Sequence, residues 1–562
     1  MERTSYWHLT QKPMECPRLE TDMETDVLII GGGISGVTAA YCLTLRGIQP
    51  VLIEAQTICA GTTGNTTGKM TIQHSIIYSN LMEKFGIDVA REYATSQTDA
   101  LRFVKETVQK NNIHCQMAES TAYIYAMITE EKESLLAEYE AAKRMDILAE
   151  WTTKPVFPPK SKALLGYPGQ AVIHPIRYVQ GLARLAQKAG AAFYTHTKAI
   201  SIEENSSIQV TLDNGCVIRC KHLIQATQYP IFDGPNVFYT KLYAKRDHAV
   251  ALRMQGNWPE GSFINLGEPT HSIRTHVENG APIMILVGET HATGREEKND
   301  STPYERLIDF GDKLTGVEKV LAQWSAQDYQ TPDQIPYIGR ISDNSNIYIA
   351  AGYGKWGLLS GTLAGMMLSE MIEKGHCKHE ALYSRNRPDI TSSIGKAASE
   401  VFSSVGQLIK SKFEKTYDTV DLKKGEGRSI RYKGQRAGVY RDENNHVTVL
   451  DITCTHMGTE LNFNSAEKTW DCPAHGGRFK TDGMLIEGPP KDNLKVLFQG
   501  SFDEFVNTSE GVPHDSAQNP NAFEHLPPNL GDETSSIDLP PDAGLYPSPL
   551  PRNEEADRRH PS

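Results

Sequence analysis

The sequence predicts an α/β domain with an inserted mixed sheet, then a small all-β domain, then an acidic disordered tail. Three observations carry that expectation: a glycine-rich turn between an apolar run and a helix near residue 31, short β-like runs over 421–500, and a proline-rich C-terminal stretch. At 562 residues the chain exceeds what one hydrophobic core serves, so several domains are expected. The boundaries read as 1–380 for the first domain, 381–420 for a linker with a helix near 394–413, 421–500 for the second domain and 501–562 for the tail.

The first domain opens on a βαβ unit. Residues 27–30 form a short apolar run, Gly31-Gly32-Gly33-Ile34-Ser35-Gly36 follows, and 37–46 is helical in character before stopping at Gly47. A second buried-strand run, 51–53, ends in Glu54, eighteen residues after Gly36. In Gly31-x-Gly33-x-x-Gly36 the glycines permit a tight turn, close approach of backbone to a pyrophosphate and close helix-to-strand packing, with the helix N-terminus facing the anion. Ile34 and Ser35, inside that turn, are candidate cofactor contacts with the glycines, and Glu54, followed by Ala55, is placed to accept hydrogen bonds from a ribose hydroxyl. The plain alternative is the glycine-rich loop of an ordinary βα turn. Farther on, 178–188 is helical in period, 199–212 alternates as paired strands do, and 222–226 is another short strand. The apolar stretch 347–372 is broken by Gly352, Gly354, Lys355, Gly357 and Gly361, so it reads as strand, turn and helix rather than as a membrane span.

The glycine fingerprint alone does not choose between FAD and NAD. Three later segments do: the Thr/Gly-rich run from Glu54 to Gly68, the strand and loop over 223–230, and Pro336-Tyr-Ile-Gly339 leading to Ala350-Ala-Gly-Tyr-Gly-Lys-Trp-Gly357. Together they resemble the D-amino acid oxidase-like family of FAD enzymes over roughly residues 24–375. The resemblance implies an α/β FAD-binding Rossmann-like domain with an inserted mixed-sheet substrate domain. It also implies that Thr62, Thr63, Thr67, Gly68 and Lys69 lie along the flavin. Gly352, Tyr353, Trp356, Gly357 and Leu358 would form the late turn and open a helix whose N-terminus faces the pyrimidine ring. Members that oxidise small amino acids often carry a basic residue just after that turn to hold a carboxylate; Leu358 and Leu359 stand there instead, which leaves the substrate open. His74, Arg274 and His291 are the candidate catalytic groups, weighed against the ordinary roles of a satisfied core histidine or an ion-paired arginine.

In the second domain, Cys454-Thr-His456-Met-Gly458 precedes Cys472-Pro-Ala-His475-Gly-Gly477, with fifteen residues between His456 and Cys472. Two cysteines and two histidines on paired loops are what a [2Fe-2S] cluster needs when one iron takes two thiolates and the other two imidazoles. A structural zinc site is the alternative, although zinc modules usually pair Cys-x-x-Cys with histidines on a helix. Gly488-Pro-Pro490 matches a loop that shields such clusters, and residues 421–495 resemble the Rieske family. High-potential members carry a disulfide where this chain has Thr459 and Ala474, which implies the low part of the roughly −150 to +300 mV Rieske range.

Of the formal charge of −12, the last 62 residues hold twelve Asp/Glu against three Arg, so the rest of the chain is nearly balanced. That leaves no basic footprint for nucleic acid and no polybasic segment for anionic lipid. The tail also holds ten of the 30 prolines, and its Leu497-Phe498-Gln499-Gly500 border resembles a viral protease site used in expression work. Nine scattered cysteines and no apolar leader suit a reducing cytoplasmic compartment. The expected function is an oxidoreductase in which FAD oxidises a small organic, amine or amino-acid-like substrate and electrons pass singly through the cluster to an external one-electron carrier. An oxygen-using flavin oxidase with a structural cluster, and a non-catalytic carrier or sensor, are the alternatives.

Overall fold

The computed structural model describes residues 3–155, 157–233, 238–256, 258–278, 280–295, 301–387 and 422–509. The glycine-rich turn follows a central strand of an eight-stranded sheet. In order across it run Tyr337–Arg340, Ile347–Ala351, Val217–Gln228, Met23–Ile30, Val51–Ile53 and Ala192–Tyr194. Met23–Ile30 pairs in parallel with Val217–Gln228 and with Val51–Ile53. Strands covered on both faces read as continuous apolar runs, and Val27, Leu28, Ile29 and Ile30 are all buried. The run over 199–212 is an antiparallel pair, Ala199–Glu204 with Ile208–Leu212, as its alternation predicts. The helix Ile34–Leu45 is buried nearly all round, packed against Pro175–Lys188 and Gly357–Lys374.

The inserted region is a nine-stranded mixed sheet. Its order is Val317–Gln330, Tyr243–Met254, Ala281–Ala292, Ser272–Glu278, Gly261–Asn265, Ala118–Ala126, Ala163–Val172 and Lys69–Met70, with Glu150–Thr152 beside Ala163–Val172. All pairings are antiparallel except Gly261–Asn265 with Ala118–Ala126.

The second domain is a pair of four-stranded antiparallel sheets. One holds Glu426–Tyr432, Gln435–Arg441, His446–Leu450 and Val496–Ser501; the other holds Asn462–Asn464, Thr469–Asp471, Arg478–Lys480 and Leu485–Glu487. Each has its own apolar core, one around Ile430, Val439 and Val449 and one around Leu461, Trp470 and Phe479.

Two boundaries differ from those read in the sequence. The first domain runs past residue 380 to Arg387, whose guanidinium donates to both carboxylate oxygens of Asp333 at 2.6 and 2.9 Å. The second domain does not stop at Gly500. The segment Leu497-Phe498-Gln499-Gly500 is part of the edge strand Val496–Ser501, and the helix Phe502–Ser509 buries Phe505 beneath it. Composition placed the tail too early because one fully buried phenylalanine anchors an otherwise polar stretch. The helix expected near 394–413, and the tail from 510 on, lie outside the described residues.

Candidate functional site

A cavity of about 590 Å³ runs along the glycine-rich turn. Gly31, Gly33, Ile34 and Ser35 line one end, with Glu54 and Ala55 beside them. Gly36 lies beneath: a Cβ there would stand 2.0 Å from the Gly31 carbonyl oxygen, so only glycine lets the helix sit this close to the strand. The Glu54 carboxylate, buried against the turn, accepts from the backbone N–H of Gly32 at 2.7 Å and of Gln56 at 2.9 Å. Burial raises this carboxyl above the ordinary glutamate value, with those N–H groups acting against the rise.

The loop 61–68 forms the next part of the wall, with Thr62, Thr63 and Thr67 facing the cavity. Its backbone carbonyls point away and are held from behind by donors far off in sequence. Ser5 donates to Gly64 at 2.6 Å, Trp324 to Asn65 at 2.9 Å, Trp7 to Thr66 at 2.6 Å and Arg274 to Thr67 at 2.8 Å. Gly68, at φ +76°, packs behind the wall against Arg274 and the Ile173 carbonyl. Across the cavity Tyr353, Trp356, Gly357 and Leu358 line the start of the late helix, which has no side-chain cap, while Gly352 sits behind them at φ +80°. The Ser35 and Tyr353 hydroxyls share a hydrogen bond of 2.7 Å, tying the two helix N-termini together. An elongated cavity with two helix N-termini opening on it fits a dinucleotide such as FAD.

The three candidate catalytic residues do not converge. His74 does line the cavity, stacked on Trp356 at 4.7 Å. Both its ring nitrogens are already engaged, Nδ1 with the Tyr93 hydroxyl at 2.7 Å and Nε2 with the Thr71 carbonyl at 3.0 Å. Burial pushes it down to about 3, so it stays neutral and serves as wall. Arg274 is spent on the carbonyls of Thr67 and Ile173 and lies over the Trp7 ring, a support for the loop rather than a group facing substrate. His291 stacks on His248 at 5.4 Å, next to the second domain's Glu467, and is not part of the cavity wall. Polar groups that do line the cavity include Lys69, Ser272, Asp247, Lys355 and Asp328. Lys69 donates to the Ser272 hydroxyl, and burial, with the nearby Arg274 and Lys355 charges, pushes it down to about 7. Lys355 pairs with Asp247 at 2.8 Å, and burial pushes Asp328 up to about 6. Asp247 and Asp328 gave no signal in the sequence because single carboxylates on long alternating strands look like surface charges.

The second domain brings its candidate ligands together in two like pairs, cysteine with cysteine and histidine with histidine. Cys454 and Cys472 are buried, each thiol within electrostatic reach of the other, and the His456 and His475 rings stand 5.2 Å apart at 85°. Each loop closes in the same way: Gly458 N–H to the Cys454 carbonyl at 2.9 Å, and Gly476 N–H to the Cys472 carbonyl at 3.1 Å. Among the described residues no three His, Cys, Asp or Glu side chains converge on one point, and a [2Fe-2S] cluster asks for two protein ligands on each iron rather than four on one ion. Pro490 covers Gly477 beside the Cys454 sulfur. The strand end and loop carrying that proline, 485–491, also line the first domain's cavity.

A family model described as FAD dependent oxidoreductase matches residues 26–371, and one described as Rieske [2Fe-2S] domain matches 413–498. The chain is 35% identical over 495 residues to a putative Rieske 2Fe-2S iron-sulfur protein, YhfW, of Bacillus subtilis (strain 168), covering 88% of this chain and 97% of that protein. It is 22% identical to a glycine oxidase of Geobacillus kaustophilus (strain HTA426) over 67% of this chain and 99% of the oxidase. Among solved structures, glycine oxidase from Geobacillus kaustophilus matches with a TM-score of 0.55 and 19% identity, over 65% of this chain and 99% of that one. L-proline dehydrogenase from P. horikoshii matches with a TM-score of 0.54 and 19% identity, over 65% and 97%.

Proposed function

The chain belongs to the FAD dependent oxidoreductase family and carries a Rieske [2Fe-2S] domain, and from that premise we propose that it dehydrogenates a small amine or amino-acid-like substrate and delivers the electrons singly, through the cluster, to an external one-electron carrier. The observation that carries this reading is the shared wall: the segment 485–491 lines the cavity, and its Pro490 packs on Gly477 beside the Cys454 sulfur. When bound, FAD supplies two-electron oxidation of a C–H bond next to nitrogen, and the cluster supplies one-electron transfer.

The chain's own residues bind, orient and exclude water. Ala249, Ile264 and Val287 give the substrate end an apolar floor, and neutral His74 stacked on Trp356 gives it a flat side. Lys69 Nζ is the group suited to taking a proton from a substrate ammonium, because it changes charge at about pH 7. The metal ligands in this reading are Cys454, His456, Cys472 and His475, and the FAD contacts are those named along the cavity.

The test is anaerobic mixing of the holoenzyme with a panel of primary amines, secondary amines and amino acids. Bleaching of flavin absorbance by a panel member, followed by the reduced cluster's EPR signal, is the expected result. In His475→Ala the cluster is lost, the bleaching persists and turnover with a one-electron acceptor falls by orders of magnitude. Fast aerobic turnover indifferent to cluster loss would replace this reading with an oxygen-using oxidase.

A further inference from the structure

The wall between the two cofactor sites contains a continuous set of buried groups. Tyr229 follows the strand Val217–Gln228 and lines the FAD cavity. On its far side its ring meets that of His456 edge-on, with centroids 6.4 Å apart at 83°. The same ring leans on Tyr329 at 5.2 Å, and the Tyr329 hydroxyl donates to the His475 carbonyl at 3.2 Å. An aromatic side chain therefore spans the distance from the cavity to one candidate iron ligand, while its neighbour touches the backbone of the other.

Gln327, 1% exposed, holds these pieces in register. Its carboxamide nitrogen donates to the Tyr329 hydroxyl at 3.1 Å and to the Gly476 carbonyl at 2.9 Å, and its carboxamide oxygen accepts from Thr293 at 2.8 Å. Its backbone carbonyl accepts from the Thr62 hydroxyl at 3.2 Å and from the Gln228 carboxamide at 2.5 Å. One buried residue thus bonds the loop along the flavin to the loop around the cluster. The fit leaves no slack: a Cβ on Gly476 would stand 2.4 Å from Ala244 and 2.9 Å from the Gln327 carboxamide nitrogen.

A buried glutamine between two domains is often only adhesive, but adhesion does not require an aromatic ring reaching from a cofactor cavity to a ligand imidazole. We propose that Tyr229 is the group across which electrons pass between the FAD cavity and the cluster, entering at the His456 edge, and that Gln327 and Tyr329 are positioning residues for that contact. The inference rests on the function proposed above and specifies its route. Each crossing removes one electron from reduced flavin and converts one ferric iron of the cluster to ferrous; a one-electron carrier reoxidises the iron. Two crossings clear the electron pair of one substrate oxidation, and the protons released with it leave from the cavity side to solvent. Because the domains are already in contact at this point, no swing of the cluster domain is needed between crossings.

The test delivers one electron to the anaerobic holoenzyme by pulse radiolysis, with deazaflavin radical as the donor, and times the concentration-independent redistribution between flavin and cluster absorbance. In Tyr229→Leu that phase slows by about tenfold while FAD content, iron content and the g-values of the cluster stay unchanged; Tyr229→Phe, which keeps the ring, restores the rate. A Tyr229→Leu protein that holds both cofactors and redistributes at the unmodified rate overturns the inference. If Tyr229→Leu fails to load a cofactor, Gln327→Leu carries the same test: a slowed phase supports the assignment and an unmodified rate overturns it. Absence of the phase in the unmodified protein is a different outcome, since it overturns the electron route itself and not merely the choice of residue.

Discussion

The nucleotide end of the cavity and the face between the two domains are built by opposite means. At the nucleotide end the shape comes from missing side chains, with Gly36 allowing the helix to rest on the Gly31 carbonyl. At the domain face it comes from charged side chains packed out of water. Arg246, its side chain 4% exposed, donates to Glu467 at 2.5 Å and to Glu487 at 2.9 Å and also bonds Ser325. Arg478 donates to the same two carboxylates and to Asp471. Burial alone would raise the Glu467 carboxyl, but the two guanidinium groups outweigh it and hold that carboxyl well below its usual range. Buried charges of this kind add little net stability over apolar packing, yet removing one partner is costly. The difference teaches that the first region tolerates no added atom, whereas the second tolerates no lost charge.

The largest expected effect breaks the first region. Gly36→Ala puts a methyl group into the space of the Gly31 carbonyl, so purified protein should carry almost no FAD by absorbance while keeping its iron. Near-full FAD occupancy would show that the turn is not shaped by this contact. Next in size is Glu467→Gln, which strips the shared acceptor from Arg246 and Arg478 and should cost about 3–5 kcal/mol at the domain face. Chemical denaturation should then resolve a separate early transition for the cluster domain; a single transition at the unmodified midpoint would contradict the assignment. The pH sign follows from the depressed carboxyl. Its contribution is complete above the unfolded glutamate value of about 4.3 and is lost only as pH falls through the lower folded value. Stability measured from pH 7 to 5 should therefore show no loss from Glu467.

Legibility in the sequence divides along the same line. The βαβ unit, the 199–212 strand pair, the late strand-turn-helix and the paired Cys/His loops rest on residues within about thirty positions of one another, where periodicity and spacing are direct signals. The domain face was not legible: Arg246 and Glu467 are 221 positions apart, and each alone reads as a surface charge. The backing of the 61–68 loop was hidden for the same reason, since Ser5, Trp7, Arg274 and Trp324 come from four remote segments. Arg274, a candidate weighed against an ordinary ion-paired arginine, donates to two backbone carbonyls that no local pattern reveals. Tyr229 was within view as part of a flavin-family segment, but nothing local to it pointed to a contact with His456.

The smallest expected effect sharpens the comparison by removing the charge that the glycine-shaped region does hold. Glu54 is the carboxylate at the nucleotide end, and its two oxygens accept from Gly32 and Gln56. Glu54→Gln keeps one acceptor oxygen but turns an NH₂ group toward a backbone N–H, so one of these bonds is lost, together with charge-assisted acceptance from a ribose hydroxyl. A hydrogen bond to a charged group contributes about 1.5–3 kcal/mol, so FAD affinity should weaken by about tenfold to a hundredfold. Fluorescence titration of the apoprotein with FAD reads this, and it remains far short of the loss expected in Gly36→Ala because the carbon framework of the turn is untouched. The cluster's EPR signal should not move, since its domain is held by the Arg246 and Arg478 network and not by the turn. An affinity loss as complete as that of Gly36→Ala would mean that the charge, and not the absent side chains, shapes this end. An unchanged affinity would mean that Glu54 braces the turn without touching the nucleotide.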